Sequence, residues 1–81
     1  MKTTLMNYIV EELLSGRRRE EIDENHDLLL SGTLDSLGAM QLVFFIEQEF
    51  GLEVPPEDVT IENFRSVASI AEYLAHKLAT R

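Results

Sequence analysis

Cysteine is absent from the 81 residues of this chain. That absence excludes a disulfide framework, a thiolate nucleophile and Cys-ligated zinc, and it fits a reducing compartment. Any thiol the protein needs must come with a cofactor. A long apolar run is also missing, because Met1–Asn7 leads into a mixed pattern that contains Glu11 and Glu12. Neither a signal peptide nor a membrane span is therefore expected, and the reading is a cytoplasmic protein with no membrane insertion. Positive charge is scarcest of all. From Glu20 to Phe64 there are twelve carboxylates and no Lys or Arg, with His26 the sole potential cation, and the whole chain carries −8. Such a field repels a nucleic-acid backbone and attracts basic proteins. An acidic solvated surface would show the same bias, so charge alone does not choose a partner. Arg17-Arg18-Arg19 reads as a solvated loop or local counter-charge.

The length allows one small domain, 1–81, with a thin core, read as a monomer. Leu5, Met6, Ile9, Val10, Leu13 and Leu14 recur at helical spacing and predict a first helix from about Thr4 to Ser15. Thr3 or Thr4 is its expected cap and Gly16 its expected stop. Residues 17–33 hold no sustained period. The run Leu28-Leu29-Leu30 must pack partly onto helices, which makes this long connection an ordered and functional one. A second helix is predicted from Ser36 to Phe50, with Asp35 as N-cap and Gly51 as stop. Pro55-Pro56 interrupts the chain before a helical turn near Glu57–Val59. Thr60–Phe64 reads as another short turn, and Ser66 caps a last helix bearing Val67, Ile70, Ala71, Leu74 and Leu78 on one face. The expected fold is all-α, a four-helix bundle with three main helices, one short helix and a long first connection.

The middle helix has more apolar surface than one core face requires. At 100° per residue, Ala39, Val43, Ile46 and Phe50 form one stripe with Leu42 beside it. Leu37, Met40 and Phe44 form a second stripe that descends from Ser36, and Phe45 points away from both. A helix apolar nearly all round is either enclosed or shows a face to a partner. Either reading suits any one of these residues.

Chemistry-bearing groups are few. Ser36 falls at the first turn of this helix, where free backbone N–H groups and the positive end of the dipole favour a phosphate. A serine there is more often a simple cap. Ser36, Asp35 and His26 or His76 do not make a catalytic triad: the Gly-x-Ser-x-Gly elbow is missing, and adjacent Asp and Ser side chains cannot act in series. His26 and His76 read as surface residues without ligand spacing. Glu20, Glu21, Asp23, Glu24 and Asp27 lack the spacing of a calcium loop. No catalytic residue and no metal site is expected.

Asp35-Ser36-Leu37, preceded by Leu28-Leu29-Leu30-Ser31-Gly32-Thr33-Leu34, resembles the attachment motif of acyl carrier proteins. The run from Gln41 to Pro55 resembles that family's second helix and its exit, and the likeness continues through Phe64-Arg65-Ser66-Val67. The resemblance implies a non-enzymatic carrier with 4'-phosphopantetheine attached to Ser36 by a phosphopantetheinyl transferase. Asp35 and Leu37 would flank the attachment. Leu37, Met40, Gln41, Phe44 and Glu47 would meet partner enzymes. The arm's thiol would hold the cargo as a thioester, which accounts for a chain without cysteine.

Carriers of general fatty-acid synthesis typically have Asp directly after this tripeptide and Glu three residues further on. Here Gly38 and Gln41 stand in those places. Ser36-Leu37-Gly38-Ala39-Met40-Gln41 is closer to D-alanyl and related standalone aminoacyl carriers. The resemblance thus implies a dedicated carrier of a small acyl or aminoacyl group. An adenylating acyl or aminoacyl ligase would load it, and a downstream acyltransferase or synthase would unload it. The alternatives are a fatty-acid or polyketide carrier and an interaction module of this fold that is never modified.

Overall fold

A computed structural model describes residues 1–16, 20 and 22–80. The expectations for Arg17–Arg19 and for Glu21 fall outside these described residues. Helix α1 spans Lys2–Asn7 and continues without a break into wider π-helical turns over Tyr8–Leu13. Helix α2 spans Ser36–Phe50, α3 Ile61–Phe64 and α4 Val67–Ala79, with a 3-10 turn at Pro56–Asp58 between α2 and α3. No strand occurs among the described residues, and the all-α arrangement with a long first connection is as expected.

The first helix differs at both ends from the predicted Thr4–Ser15. Winding begins at Lys2, Met1 occupies the cap position, and no side chain caps it. The Leu5 N–H instead donates to the Met1 carbonyl at 3.1 Å, which leaves Thr3 and Thr4 inside the first turn. At the other end the helix stops at Leu13, because Ser15 already adopts a positive φ of 54° ahead of Gly16 at 77°. The wider turns place Ile9 and Val10 together in the interior with Leu5. They also bring Tyr8 over Phe45 of α2, the rings stacked at 4.0 Å and 11°. Phe45, which lies off both α2 stripes, thus packs toward the first helix.

Ordinary capping sets the other helices. The Asp35, Thr60 and Ser66 side chains each accept from a backbone N–H three residues on, at the starts of α2, α3 and α4. Gly51 closes α2 at φ 63°, a left-handed conformation that costs glycine little. The core gathers Leu5 and Ile9 of the first helix, Leu42 and Ile46 of α2, Phe64 of α3, and Val67, Ile70 and Leu74 of α4.

The described part of the long connection is tied to the helices by backbone hydrogen bonds. Ile22, Leu28 and Leu34 are buried, Leu29 is half-buried and Leu30 is exposed, so the three leucines divide between core and surface. The Leu28 N–H donates to the Arg65 carbonyl at 2.6 Å, the Ala68 N–H to the Glu24 carbonyl at 2.8 Å, and the Leu34 N–H to the Leu28 carbonyl at 2.8 Å. His26, read from sequence as a surface residue, is half-buried and organises the loop. Its Nε2 lies 2.9 Å from Thr33 Oγ1 and 3.2 Å from Ser31 Oγ. These contacts fix Leu34, and Leu34 fixes where α2 begins.

Phe64 is the largest fully buried side chain and joins α3 to α4. Phe64→Ala should cost about 3–5 kcal/mol in urea unfolding at unchanged m-value, the usual cost of truncating a core aromatic. A loss under about 1 kcal/mol would mean that α3 is not part of the cooperative core.

Candidate functional site

Leu34 is buried and Asp35 is exposed, so the chain passes from core to surface in one residue. Asp35 is extended, at φ −94° and ψ −174°, and its Oδ1 accepts from the Gly38 N–H at 2.7 Å while its carbonyl accepts from the Ala39 N–H at 2.9 Å. A Cβ at Gly38 would stand 3.2 Å from Asp35 Oδ1 and 3.5 Å from a Leu34 methyl, the first of which is tighter than ordinary contact. Ser36 is the first residue of α2 and is exposed. Its own N–H and that of Leu37 precede any acceptor within the helix, as the first N–H groups of every helix do. An anion esterified to Ser36 would lie beside these donors at the positive end of a 15-residue helix.

Leu37, Met40 and Phe44 lead away from Ser36 along the outer face of α2, with 65%, 71% and 64% of their surfaces exposed. Leu30 from the long connection and Val59 and Ile61 from the α3 side add further exposed apolar residues. Of the other residues singled out in the sequence, Gln41 is exposed. Glu47 is half-buried, and its Oε2 accepts from the Val54 N–H at 2.9 Å, which ties the end of α2 to the segment that follows.

Two grooves flank the exposed stripe. One lies between α2 and the first helix, lined by Tyr8, Glu12, Leu13, Met40, Gln41 and Phe44. The other, about 430 Å³, opens at Ser36 and runs between α2 and the residues after it, along Ala39, Met40, Val43, Val54, Pro56 and Val59. Its volume is that of a small ligand cleft. Of this lining the sequence singled out Ser36 and Met40 as site residues and put Ala39 and Val43 on a separate stripe of α2, and it missed Val54, Pro56 and Val59. Pro55-Pro56 was the available signal, but nothing local shows that the chain returns to lie against α2.

A turn outside both grooves holds the far wall in place. Asp58 Oδ2 accepts from the Tyr73 hydroxyl at 2.5 Å and lies 3.8 Å from Lys77 Nζ, both on α4. Burial, then the hydrogen bond to Asp58 and the charges of Asp58 and Glu57, push the Tyr73 hydroxyl well above the usual range. At neutral pH the hydroxyl is therefore a protonated donor to Asp58. Among the described residues no group of three or more His, Asp or Glu is placed to hold a metal.

The family model for the phosphopantetheine attachment site matches residues 5–74. The D-alanyl carrier protein of Streptococcus suis (strain 98HAH33) is 34% identical over 70 residues, which span 86% of this chain and 85% of that protein. An acyl carrier protein of Bdellovibrio bacteriovorus is 44% identical over 43 residues, 53% of each chain. Aminoacyl carrier protein 2 of Bradyrhizobium diazoefficiens is 36% identical over 47 residues, 58% of this chain and 53% of that one. Among solved structures, holo acyl carrier protein from Nitrosomonas europaea shares the fold at TM-score 0.77 and 24% identity, over 96% of this chain and 95% of that one. A chain of a crystal structure described as an FAD-dependent dehydrogenase matches at TM-score 0.78 and 33% identity, over 85% of this chain and 96% of its own length.

The chain thus belongs to the phosphopantetheine-attachment family. It is a carrier protein that takes phosphopantetheine as its cofactor and is not itself a catalyst. The residues present suit that group, since an exposed serine stands at a helix start and at the mouth of an apolar groove.

Stability should separate the site's two kinds of residue. Asp35→Ala should cost about 1 kcal/mol through loss of the cap. Met40→Ala and Phe44→Ala should stay within about 0.5 kcal/mol of the parent in urea titrations, because both project into solvent. A loss of about 2 kcal/mol or more at Met40 or Phe44 would place them in the core and contradict this surface.

Proposed function

We propose that the carrier holds a small acyl or aminoacyl group on a 4'-phosphopantetheine arm attached to Ser36, in the cytoplasm, between a loading and an unloading enzyme. The observation that carries this reading is Ser36 itself. It is an exposed serine at the first turn of α2, positioned by the Asp35 cap inside the matched region. With a phosphopantetheinyl transferase, the Ser36 hydroxyl would attack the pyrophosphate of coenzyme A and form a phosphodiester to the arm, as adenosine bisphosphate leaves and the hydroxyl proton passes to a base of the transferase. When bound, the arm supplies the thiol that carries the cargo as a thioester.

The chain's own residues hold and present. Asp35 holds the start of α2, and the N–H groups of Ser36 and Leu37 would be the donors nearest an esterified phosphate. Leu37, Met40 and Phe44 offer an apolar surface, with the Gln41 amide beside it and an acidic field around it, to which basic transferase, ligase and acyltransferase or synthase partners would dock. Small cargo is supported by D-alanyl and aminoacyl carriers among the relatives. It is supported too by Gly38 and Gln41, which replace the acidic pair of the fatty-acid pattern. Packing agrees, because Ile46, Phe64, Ile70 and Leu74 are fully buried and interiors hold few voids.

Incubation of the apo protein with coenzyme A and a broad-specificity transferase should add one phosphopantetheinyl group by intact mass. Ser36→Ala should abolish the addition and keep the helical circular dichroism; a modified Ala variant would place the arm elsewhere. An unmodified parent would favour an interaction module instead. Met40→Ala and Phe44→Ala should slow modification or loading about five- to thirty-fold, or roughly 1–2 kcal/mol. Kinetics equal to the parent in both variants would move docking off this stripe.

A further inference from the structure

The residues after α2 form the outer wall of the groove at Ser36, and they are tied down at two places. At one end the Val54 N–H donates to Glu47 Oε2 at 2.9 Å, which binds the wall to α2. At the other end Asp58 Oδ2 accepts from the Tyr73 hydroxyl at 2.5 Å with Lys77 Nζ at 3.8 Å, which binds it to α4. Both ties use a carboxylate as acceptor, the stronger kind of hydrogen bond. Between them lie Pro55 and Pro56, whose rings fix φ and leave the stretch little freedom to bend. The Asp58 N–H donates to the Pro55 carbonyl at 2.9 Å and closes the turn. The backbone carbonyl of Asp58 also accepts from Asn63 Nδ2 at 2.9 Å, so α3 is held by the same residue. The Tyr73 ring lies 6.1 Å from that of Phe64, tilted by 49°.

This arrangement has a consequence for the cargo. The groove is a surface feature, and beneath it Ile46, Phe64, Ile70 and Leu74 are fully buried. On this side of α2, a chain too long for the groove would leave solvent by separating the Val54–Val59 wall from α2 and opening the core. We infer that Glu47 and Asp58, with Tyr73 as the donor to Asp58, form a two-ended clamp that keeps this wall closed and thereby restricts the carried group to short ones. The inference rests on the proposed attachment at Ser36 and adds the residues that set cargo length. Glu47, expected from the sequence to meet partners, thus also acts on the wall.

The clamp is tested in the intact chain by comparing the parent with Tyr73→Phe, Glu47→Ala and, as a control carboxylate outside the clamp, Glu62→Ala. Amide exchange of the apo forms reads the wall directly. Tyr73→Phe, which keeps the ring, should speed exchange at Val59, Thr60 and Phe64 roughly tenfold, as loss of a hydrogen bond to a charged group predicts. Glu47→Ala should do the same at Val54, and Glu62→Ala should change neither. Each holo protein is then loaded with octanoate, and chemical shifts are compared with the unloaded form. Shifts at Ile46, Phe64 and Leu74 should be small in the parent and the control and large in the two clamp variants. Parent-like exchange in Tyr73→Phe and Glu47→Ala, or faster exchange without core shifts on octanoylation, overturns the clamp. Failure of the parent to accept the arm at Ser36 would sink the functional reading alone, and the apo exchange rates would still decide whether the wall is clamped. Large core shifts in the octanoylated parent would overturn both the restriction and the preference for small cargo.

Discussion

The hydrogen bond from the Gly38 N–H to Asp35 Oδ1, 2.7 Å long, is the contact on which the presentation of Ser36 depends. It fixes the residue at which extended chain becomes helix, and so the direction in which the Ser36 hydroxyl leaves the surface. Leu34 anchors the cap from below, and Leu28, Thr33 and His26 hold Leu34 through the connection. A Cβ at Gly38 would stand 3.2 Å from the accepting oxygen, close enough that the carboxylate would have to give by a few tenths of an ångström. A cofactor attached here would be held by a rigid scaffold while its far end remained in solvent.

Around that point the surface divides by chemistry. The outer face of α2 is apolar and exposed, while Glu20 to Phe64 contains no Lys or Arg. An enzyme docking on this face, as proposed, would meet a negative field at long range and an apolar ridge at short range. The first would set the rate of encounter and the second the lifetime of the complex. The residues after α2 face a different demand, because they must line a groove without falling away from the helix. Carboxylates at Glu47 and Asp58 do that by pairing with groups on the wall and on α4. Among the described residues no helix is long and apolar enough to cross a membrane.

The fold was largely legible because its signals are local. Asp35, Thr60 and Ser66 are cap residues directly ahead of helical spacing, and Gly51 is a stop that permits positive φ, so α2 has the predicted bounds of Ser36 and Phe50. The start of the first helix was misread because two threonines resembled a cap, whereas winding had already begun at Lys2. The π-helical turns were invisible, since Ile9-Val10 and Leu13-Leu14 fit an ordinary helix equally well. The placement of Ser36 at the first turn of α2 followed from its neighbours. The pairing of Asp58 with Tyr73 joins residues fifteen apart in different elements, and no local rule connects them. His26 was underestimated for the same reason, because its partners Ser31 and Thr33 meet it only after the loop has folded back.

The central claim is that one serine carries the arm, and peptide mapping of the transferase-modified parent tests it most directly. Fragmentation of the peptide that holds both Ser31 and Ser36 should place a single phosphopantetheinyl group on Ser36, with every other peptide unmodified. A group found on Ser31, on any other residue, or on none would contradict the account.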